Sequence, residues 1–380
     1  MKKNSKVLMI AETCYRYIYP QIPDLAELLA RRGYVVMTLI PEDEEVRDWN
    51  SGRGFEIAFT RRIKIRLPGL ANPWYAFQVL PRLLEADIVI GFTTPTVLIL
   101  LIANRLLKKK TIYYALELMV PFTRGSGAYA SLQHLLRFTT ISVLTTGSHR
   151  SRILQRAVGL AHLPAEIRCC ALRTTKAISN HPESTIAERV RKMAGQPDGL
   201  VVLCNGGLTE LNGFGLLLAA AIPAKSGVLI ALSGPLSMVW HEKLAGVSAA
   251  TGNYFYVGEV HGTHYELIEH LRGADLGIVL KKMDHTQALN DRLYTPNKLF
   301  DFIAAGVPVL CSKQSTLTFV KKRGLGFVLE DFSVEGLRAF LLGLPDRRTE
   351  IANLAKSVRD AFDEDLNMEQ AARPLLDILA

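Results

Sequence analysis

Three polar side chains, Asn297, Lys298 and Asp301, stand at the start of a predicted helix in the segment 295–310, TPNKLFDFIAAGVPVL. Pro296 suits the first turn of a helix, because its missing N–H removes no hydrogen bond there. The first turn also offers unpaired amides and a partial positive charge, both of which bind phosphate groups. Asp301, one turn further along, can accept hydrogen bonds from ribose hydroxyls. The segment therefore predicts a site for a diphosphate and a ribose; the alternative is an ordinary joint between a helix and a strand.

A glycine-rich stretch, NGGLTELNGFG at 205–215, directly follows the predicted strand 200–204. Glycines let a backbone approach a diphosphate closely and turn its amides toward it. The candidate contacts of this loop are Gly206, Gly207, Leu208 and Thr209. The glycine spacing fits neither the dinucleotide-binding fingerprint nor the P-loop, so the sequence supports neither NAD nor ATP as a ligand. A plain turn between a strand and a helix is the alternative interpretation.

The sequence PNKLFDFIAAGVPV at 296–309 is similar to the PNKLFEYMAAGxPV signature of the retaining nucleotide-sugar glycosyltransferases of family four. The resemblance runs from Val201 to about Leu329 and is weaker in the first part of the chain. It implies the two-domain GT-B fold, with the nucleotide-sugar donor held by the second domain and the acceptor read by the first. Asp301 takes the place of a glutamate in this signature, and the resemblance implies that it contacts the ribose.

Two departures from the family pattern change the expected charge of the donor site. The family loop reads GRLxxxKG, in which Arg and Lys hold the donor diphosphate, whereas Gly207 and Asn212 stand at those positions here. The resemblance then implies that backbone amides, Lys298 or another basic residue hold the diphosphate. The earlier of two family glutamates, eight positions before Asp301, falls at Leu293.

The resemblance also implies how the sugar is transferred. Family members are thought to need neither a metal nor a side-chain nucleophile, and stabilisation of the departing diphosphate does most of the work. Many members orient the acceptor with a histidine of the first domain, but the first histidine of this chain is His134. Glu117, at the carboxyl end of the predicted strand 111–115, is the candidate for orienting the acceptor. Glu117 and Asp301 are the two candidate catalytic residues. Glu12 is the alternative, and an ion pair is the other interpretation of both glutamates.

The length and composition predict two domains. The chain has 380 residues, of which 49% are hydrophobic and 21% charged, enough apolar material for two cores. Apolar strand runs alternate with helices on both sides of a polar stretch at 173–197. We predict an α/β protein of two doubly wound, Rossmann-like domains facing a central cleft. The predicted bounds are 1–175 for the acceptor-binding domain, 176–360 for the donor-binding domain and 361–380 for a terminal helix that crosses back to the first domain.

Charge and cysteine content limit the partners and the compartment. The chain carries 45 Lys and Arg against 36 Asp and Glu, a net charge of +9, with basic clusters at 61–66 and 108–110. These clusters are interpreted as a solvated surface or as a surface that meets anionic lipid headgroups. Nucleic acid is the third choice, because no nucleic-acid-binding motif is recognised. Five cysteines without metal-like spacing and a short N-terminal apolar run favour a cytoplasmic protein. If the basic clusters meet lipid headgroups, the protein is expected to be peripheral at the inner face of the membrane.

No metal site is predicted. The run 363–365 literally matches the Asp-x-Asp motif of metal-dependent transferases, but it lies in a charged helical stretch typical of a solvated face. His261 and His264, three residues apart, lack a third ligand and are interpreted instead as residues that approach a base or a sugar.

Together these observations predict a metal-independent, hexosyltransferase-type glycosyltransferase that uses a UDP- or GDP-sugar and no further cofactor. The expected acceptor is a glycan or a lipid-linked glycan at the cytoplasmic membrane face, and the expected outcome is retention, in cell-surface polysaccharide or glycoconjugate synthesis. One alternative is a nucleotide-sugar epimerase of the same fold, although the sequence supplies no clear acid–base pair. The other is a catalytically impaired binding or assembly partner, which the loss of Arg and Lys at Gly207 and Asn212 supports.

Overall fold

The computed structural model describes residues 4–11, 21–41, 54–60, 73–116, 132–173, 184–282, 293 and 295–380. These residues form two compact units. The first unit comprises the described residues of Met1–Leu172 together with Leu293 and Met368–Ala380, and the second comprises those of Arg173–Thr286 and Thr295–Asn367.

The first unit contains a sheet of seven parallel strands. The strands are β1 (Lys6–Ala11), β2 (Val35–Pro41), β3 (Glu56–Thr60), β4 (Ile88–Phe92), β5 (Lys110–Ala115), β6 (Ser142–Thr145) and β7 (Ala165–Glu166), in the order β3-β2-β1-β4-β5-β6-β7. The helices are α1 (Gln21–Arg31), α2 (Pro73–Glu85), α3 (Val97–Arg105) and α4 (Ser148–Val158). The strand order reverses between β1 and β4, which makes the sheet doubly wound.

Alternation along the first strand shows why helices cover both faces of this sheet. Val7 and Met9 point into one hydrophobic cluster, which α1 covers, whereas Leu8 and Ile10 point into another, which α2, α3 and α4 cover. A parallel strand buried on both faces must be apolar throughout, and the apolar runs of β1 and β4 meet that requirement.

The second unit repeats the architecture with six parallel strands. The strands are β8 (Leu200–Asn205), β9 (Val228–Ser233), β10 (Tyr254–Tyr256), β11 (Leu276–Val279), β12 (Val309–Ser312) and β13 (Gly326–Leu329), in the order β10-β9-β8-β11-β12-β13. The helices are α5 (Ile186–Ala194), α6 (Phe214–Ala219), α7 (Met238–Thr251), α8 (His264–Leu271), α9 (Asn297–Ala304), α10 (Thr318–Lys322), α11 (Val334–Leu342) and α12 (Arg348–Glu364). Here the order reverses between β8 and β11.

One close contact fixes α9 on the second sheet. The ring of Phe302 lies so near Gly277 of β11 that a Cβ added to this glycine would collide with it. The helix is buried from Leu299 to Ala304 and ends where Gly306, with a φ of +75°, turns the chain toward β12. A glycine without a side chain therefore lets α9 lie directly over the centre of the sheet.

The C-terminal residues form two short helices, α13 (Met368–Ala371) and α14 (Arg373–Leu379), rather than the single helix predicted. Pro374, which lacks an N–H, stands in the first turn of α14. Both helices bury apolar side chains in the first unit's core, among them Met368 and Leu375. The units divide after Leu172 and after Asn367, compared with the predicted 175 and 360, because α12 continues to Glu364 within the second unit.

The predicted fold class, α/β with two doubly wound parallel sheets, is confirmed. The sequence prediction missed the two edge strands of the first unit's sheet, β3 and the two-residue β7. None of the described helices has both the length and the apolar character needed to span a bilayer.

Candidate functional site

The candidate site lies where the strand order of the second unit reverses, between β8 and β11; we call this edge the second switch point. The carboxyl ends of parallel strands share one edge of a sheet, and the crevice at a reversal of strand order is where open α/β sheets bind ligands. The loop after β8 and the amino-terminal ends of α8 and α9 reach this edge. These three segments hold the candidate residues of the second unit.

Asp301 is buried on α9 and pairs with a histidine of the neighbouring helix. Its Oδ1 lies 2.8 Å from Nε2 of His264, and the two side chains are 7% and 2% exposed. His264 is the first residue of α8, whose start is fixed by a capping box in which Thr263 and Glu266 bond each other's amides. None of the described residues bonds Oδ2 of Asp301. One carboxylate oxygen is thus held in place, and the other has no protein partner among these residues.

Lys298 places a buried positive charge beside this pair. Its side chain is half-buried as a whole, but Nζ is fully buried and has no hydrogen-bond partner among the described residues. Burial is the main reason why the pKa of Lys298 lies below its ordinary value, and nearby Lys281 lowers it further, while Cys204 and Asp301 raise it. A buried ammonium group whose charge is not compensated is unfavourable, so an anion bound near Lys298 would be stabilised.

The glycine loop brings the ends of three strands together through backbone contacts. The amide of Gly206 donates to the carbonyl of Ser233 at 2.9 Å, and that of Gly234 donates to the carbonyl of Gly258 at 3.1 Å. Gly234, with a φ of +130°, cannot carry a side chain, because a Cβ there would collide with the Gly206 carbonyl. The amide of Gly206, a predicted ligand donor, is therefore already used within the sheet edge.

The amides that remain for a ligand belong to the next two residues. Those of Gly207 and Leu208 donate no backbone hydrogen bond within the described part of the chain, whereas the Thr209 amide donates to the Gly207 carbonyl at 3.1 Å. Leu208 buries its side chain in the core, which fixes the position of its amide. Thr209 is exposed. The loop thus presents two consecutive N–H groups, and a small concave set of such donors suits an anion.

Asn212, where the resembled family has a lysine, has a structural role here. Its Nδ2 donates to the carbonyl of Gly207 at 2.8 Å and holds the loop closed. Lys282, whose amide donates to the carbonyl of Leu211 in this loop, forms an exposed ion pair with Glu210 at 3.3 Å. No positive charge from the loop itself replaces the family's Arg and Lys. The buried lysines of this edge are Lys298 and Lys281, which lies just after β11 and is 6% exposed.

The remaining predicted residues fall in three places. Asn297 is half-buried at the first position of α9. Leu293 packs against the hydrophobic core of the first unit. Glu117 and Glu12 lie outside the described residues.

Residues 363–365 are all exposed, as expected for a solvated face, and Asp365 accepts two hydrogen bonds from Arg323 at the surface, at 2.9 and 2.6 Å. Among the described residues, no three His, Cys, Asp or Glu side chains are grouped as metal ligands.

The first unit has an equivalent edge, the first switch point, between β1 and β4. Beside it, at β4 and β5, lies a buried network of neutral polar groups, in which Gln133 Nε2 donates to the Tyr113 hydroxyl at 2.9 Å and to Thr94 Oγ1 at 3.2 Å. Thr93, at the end of β4, has a φ of +71° and a ψ of 153°, a conformation that non-glycine residues rarely adopt. Sequence reasoning missed this network, since an isolated Gln and Tyr give no local signal.

These two units define the GT-B fold of nucleotide-sugar glycosyltransferases, as the sequence predicted. The Anabaena protein Alr3699/HepE in complex with UDP and glucose has a TM-score of 0.72 with this chain, at 13% identity and 99% coverage of both chains. WaaG, a glycosyltransferase involved in lipopolysaccharide biosynthesis, has a TM-score of 0.66 at 17% identity and 98% coverage of both. A putative UDP-N-acetylglucosamine 2-epimerase from Listeria monocytogenes has a TM-score of 0.63 at 14% identity, covering 99% of this chain and 96% of the other.

No protein-family model matches the chain, and no curated protein sequence matches it. The structural similarity establishes the fold, while membership of family four stays a prediction from the motif at 296–309.

Proposed function

We propose that this protein is a glycosyltransferase that takes a sugar from a nucleoside diphosphate sugar. The observation that carries the proposal is the charge arrangement at the second switch point. The ammonium group of Lys298 is buried and has no hydrogen-bond partner in the described part of the chain. It stands beside the carboxylate of Asp301, one oxygen of which is bonded by His264. The first group suits a diphosphate and the second suits a ribose.

The proposed donor contacts follow from the geometry of the edge. Lys298 and the amides of Gly207 and Leu208 bind the diphosphate, and Asp301 Oδ2 accepts from the ribose. UDP is the first nucleotide to test, because the HepE structures of the same fold contain UDP and UDP-glucose. Stabilising the charge that develops on the leaving diphosphate is then the main catalytic contribution of these residues.

We further propose retention of configuration, no cofactor besides the donor substrate, and a glycan or lipid-linked acceptor at the cytoplasmic membrane face. These three proposals extend the family-four resemblance of the motif at 296–309. Glu117 is the proposed acceptor-orienting residue. Replacing it as Glu117→Gln is expected to slow transfer while leaving UDP binding unchanged, and a loss of UDP binding in this variant would remove Glu117 from the acceptor role.

A thermal-shift series with UDP, GDP and ADP tests the donor assignment. A nucleotide at about 100 times its dissociation constant should stabilise the folded protein by roughly 2.7 kcal/mol. The expected result is stabilisation by UDP or GDP and little by ADP. If none of the three changes the melting temperature at millimolar concentration, the donor assignment is wrong.

Two other functions are separated by following the sugar. The epimerase hypothesis is favoured by the similarity to the Listeria protein, and it requires the free nucleotide sugar to be interconverted without an acceptor. The assembly-partner hypothesis is favoured by the structural role of Asn212, and it requires donor binding without turnover. Incubating the protein with a panel of nucleotide sugars, with and without glycan acceptors, distinguishes transfer, interconversion and binding alone.

A further inference from the structure

The opposite edge of the first sheet, at the amino-terminal ends of its strands, combines exposed apolar side chains with basic ones. Four large apolar residues there are between 41% and 74% exposed. They are Leu84, Leu106, Leu135 and Phe138. Each lies on a segment that leads directly into β4, β5 or β6, so the parallel arrangement brings all four to one edge. We call this edge, with its basic neighbours, the basic edge surface.

Hydrogen bonds join the separate segments of this surface into one face. Nζ of Lys109 donates to the carbonyl of Leu84 at 3.1 Å, which links the end of α3 to the end of α2. The guanidinium of Arg105 donates to the carbonyl of Phe138, which links α3 to the 3₁₀ turn before β6. The guanidinium of Arg137 lies 4.3 Å from the ring centroid of Phe138. The apolar tips and the cations are therefore interleaved on a fixed surface.

The charge of the basic edge surface is strongly positive. The basic residues are Arg82, Arg105, Lys108, Lys109, Lys110 and Arg137. The only carboxylates on the same segments, 82–87, 105–110 and 135–138, are Glu85 and Asp87. Oε1 of Glu85 lies 3.9 Å from Nη1 of Arg82, and Oδ2 of Asp87 accepts a hydrogen bond from the backbone amide of Lys6 at 2.8 Å. Among the residues of these three segments, the cations between α3 and β5 thus have few anionic neighbours.

We propose that the basic edge surface docks the protein on an anionic lipid membrane. Apolar side chains among Lys and Arg suit a lipid interface, because the apolar tips enter the boundary between headgroups and acyl chains while the cations meet anionic headgroups. A second copy of the chain fits poorly, because two such faces would repel each other. The assignment rests on the part of the proposed function that places the acceptor at a membrane, and it names the face that meets that membrane.

Cosedimentation with lipid vesicles tests the proposal. Wild-type protein is expected to sediment with vesicles that contain phosphatidylglycerol and to stay in solution with pure phosphatidylcholine. A charge variant, Lys108→Glu with Lys110→Glu, should bind the anionic vesicles at least about tenfold more weakly. An apolar variant, Leu84→Ser with Leu106→Ser, should weaken binding severalfold at any salt concentration, because its effect is not electrostatic.

Matched control variants lie on exposed positions of the second unit. Lys192→Glu with Lys356→Glu changes the net charge by the same amount as the charge variant does. Met193→Ser with Leu342→Ser removes two exposed apolar side chains, as the apolar variant does. Both control proteins should bind anionic vesicles like the wild type. Unchanged circular dichroism and melting temperature would show that every variant is folded.

Three results would overturn the proposal: no sedimentation of the wild type with anionic vesicles, equal binding to neutral ones, or full binding by the charge variant. Retention on polyglutamate without vesicle binding would assign the surface to an acidic protein instead. Stabilisation by UDP is measured on the same proteins. If the wild type fails to bind vesicles but is still stabilised by UDP, only the docking proposal is wrong. If UDP does not stabilise the wild type, the donor assignment is wrong.

Discussion

The two switch points of this protein have the same topology but differ in the buried polar groups that lie beside them. At the second switch point the buried groups are ionisable: Lys281, Lys298, Asp301 and His264. Beside the first switch point, a buried network of neutral groups lies at β4 and β5, with Gln133 and Tyr113 at its centre. Since the same strand reversal carries both, the sheet supplies the location and the side chains decide the chemistry. A charged edge suits an anionic ligand, whereas a neutral hydrogen-bonding edge suits hydroxyl groups.

The largest expected effect removes the buried cation. Lys298→Met should weaken UDP binding by roughly ten- to a hundredfold, because a charge-assisted hydrogen bond contributes about 1.5 to 3 kcal/mol. Stability should not fall, since a buried charge that has no hydrogen-bond partner among the described residues is replaced by an apolar chain of similar shape. Titration calorimetry with UDP and thermal melting measure the two quantities. The control Lys321→Met changes an exposed lysine near Glu330 and should leave UDP affinity intact.

If Lys298→Met binds UDP like the wild type, the charge contrast between the two switch points has no role in donor binding. The diphosphate would then depend on the loop amides of Gly207 and Leu208 alone.

The next effect concerns the ribose. Wild-type protein should bind UDP more tightly than 2′-deoxy- or 3′-deoxy-UDP, and Asp301→Asn should reduce that preference by about tenfold, because a neutral amide is a weaker acceptor than a carboxylate. Competition binding with the three nucleotides gives the ratio directly. A preference that survives in Asp301→Asn would show that another group reads the ribose hydroxyls.

At the first switch point the same kind of substitution should affect stability only. Tyr113→Phe removes the hydroxyl that accepts from Gln133, which leaves a buried amide donor with one partner fewer and costs about 1 to 2 kcal/mol. UDP affinity should remain that of the wild type. Urea unfolding and titration calorimetry test both statements, and an altered UDP affinity would show that the neutral network also serves the donor.

A smaller stability effect comes from the backbone next to this network. Thr93 holds a φ of +71° that glycine adopts without strain, so Thr93→Gly should stabilise the fold by about 1 kcal/mol even though glycine is more flexible when unfolded. Thr93→Ala keeps the strain and is the matched control. Equal stability of both variants would argue that no strain is stored there.

The smallest expected effect is a pH dependence at the second switch point. The folded-state pKa of Lys298 lies below its ordinary value of 10.5, so the unfolded state binds more protons in the window between the two values. The free energy of unfolding should therefore rise with pH in that window, as the buried ammonium group loses its proton. Below the folded-state pKa the penalty is fully present. Urea unfolding of the wild type and of Lys298→Met at several alkaline pH values isolates this contribution. If the free energy of unfolding depends on pH in the same way for both proteins, Lys298 makes no such contribution.

Particular residues show how far the sequence could predict the site. The motif at 296–309 predicted α9 and its terminal glycine, because Pro296 and Gly306 act locally through a fixed φ and a positive φ. The partner of Asp301 was not predicted as such, since His264 is 37 residues away in sequence and meets it only because α8 and α9 pack together. The engaged amide of Gly206 was also missed, because its acceptor, Ser233, lies on the next strand.

The order of apolar strands and helices in this sequence determined two doubly wound sheets, since side-chain periodicity and local turn residues act over a few positions. Which polar groups are buried, partnered or left for a ligand was decided only by the tertiary structure. Lys298 illustrates the difference: its position in the chain placed it at a helix start, whereas the loss of water around Nζ, and with it the lowered pKa, required the packed edge of the sheet.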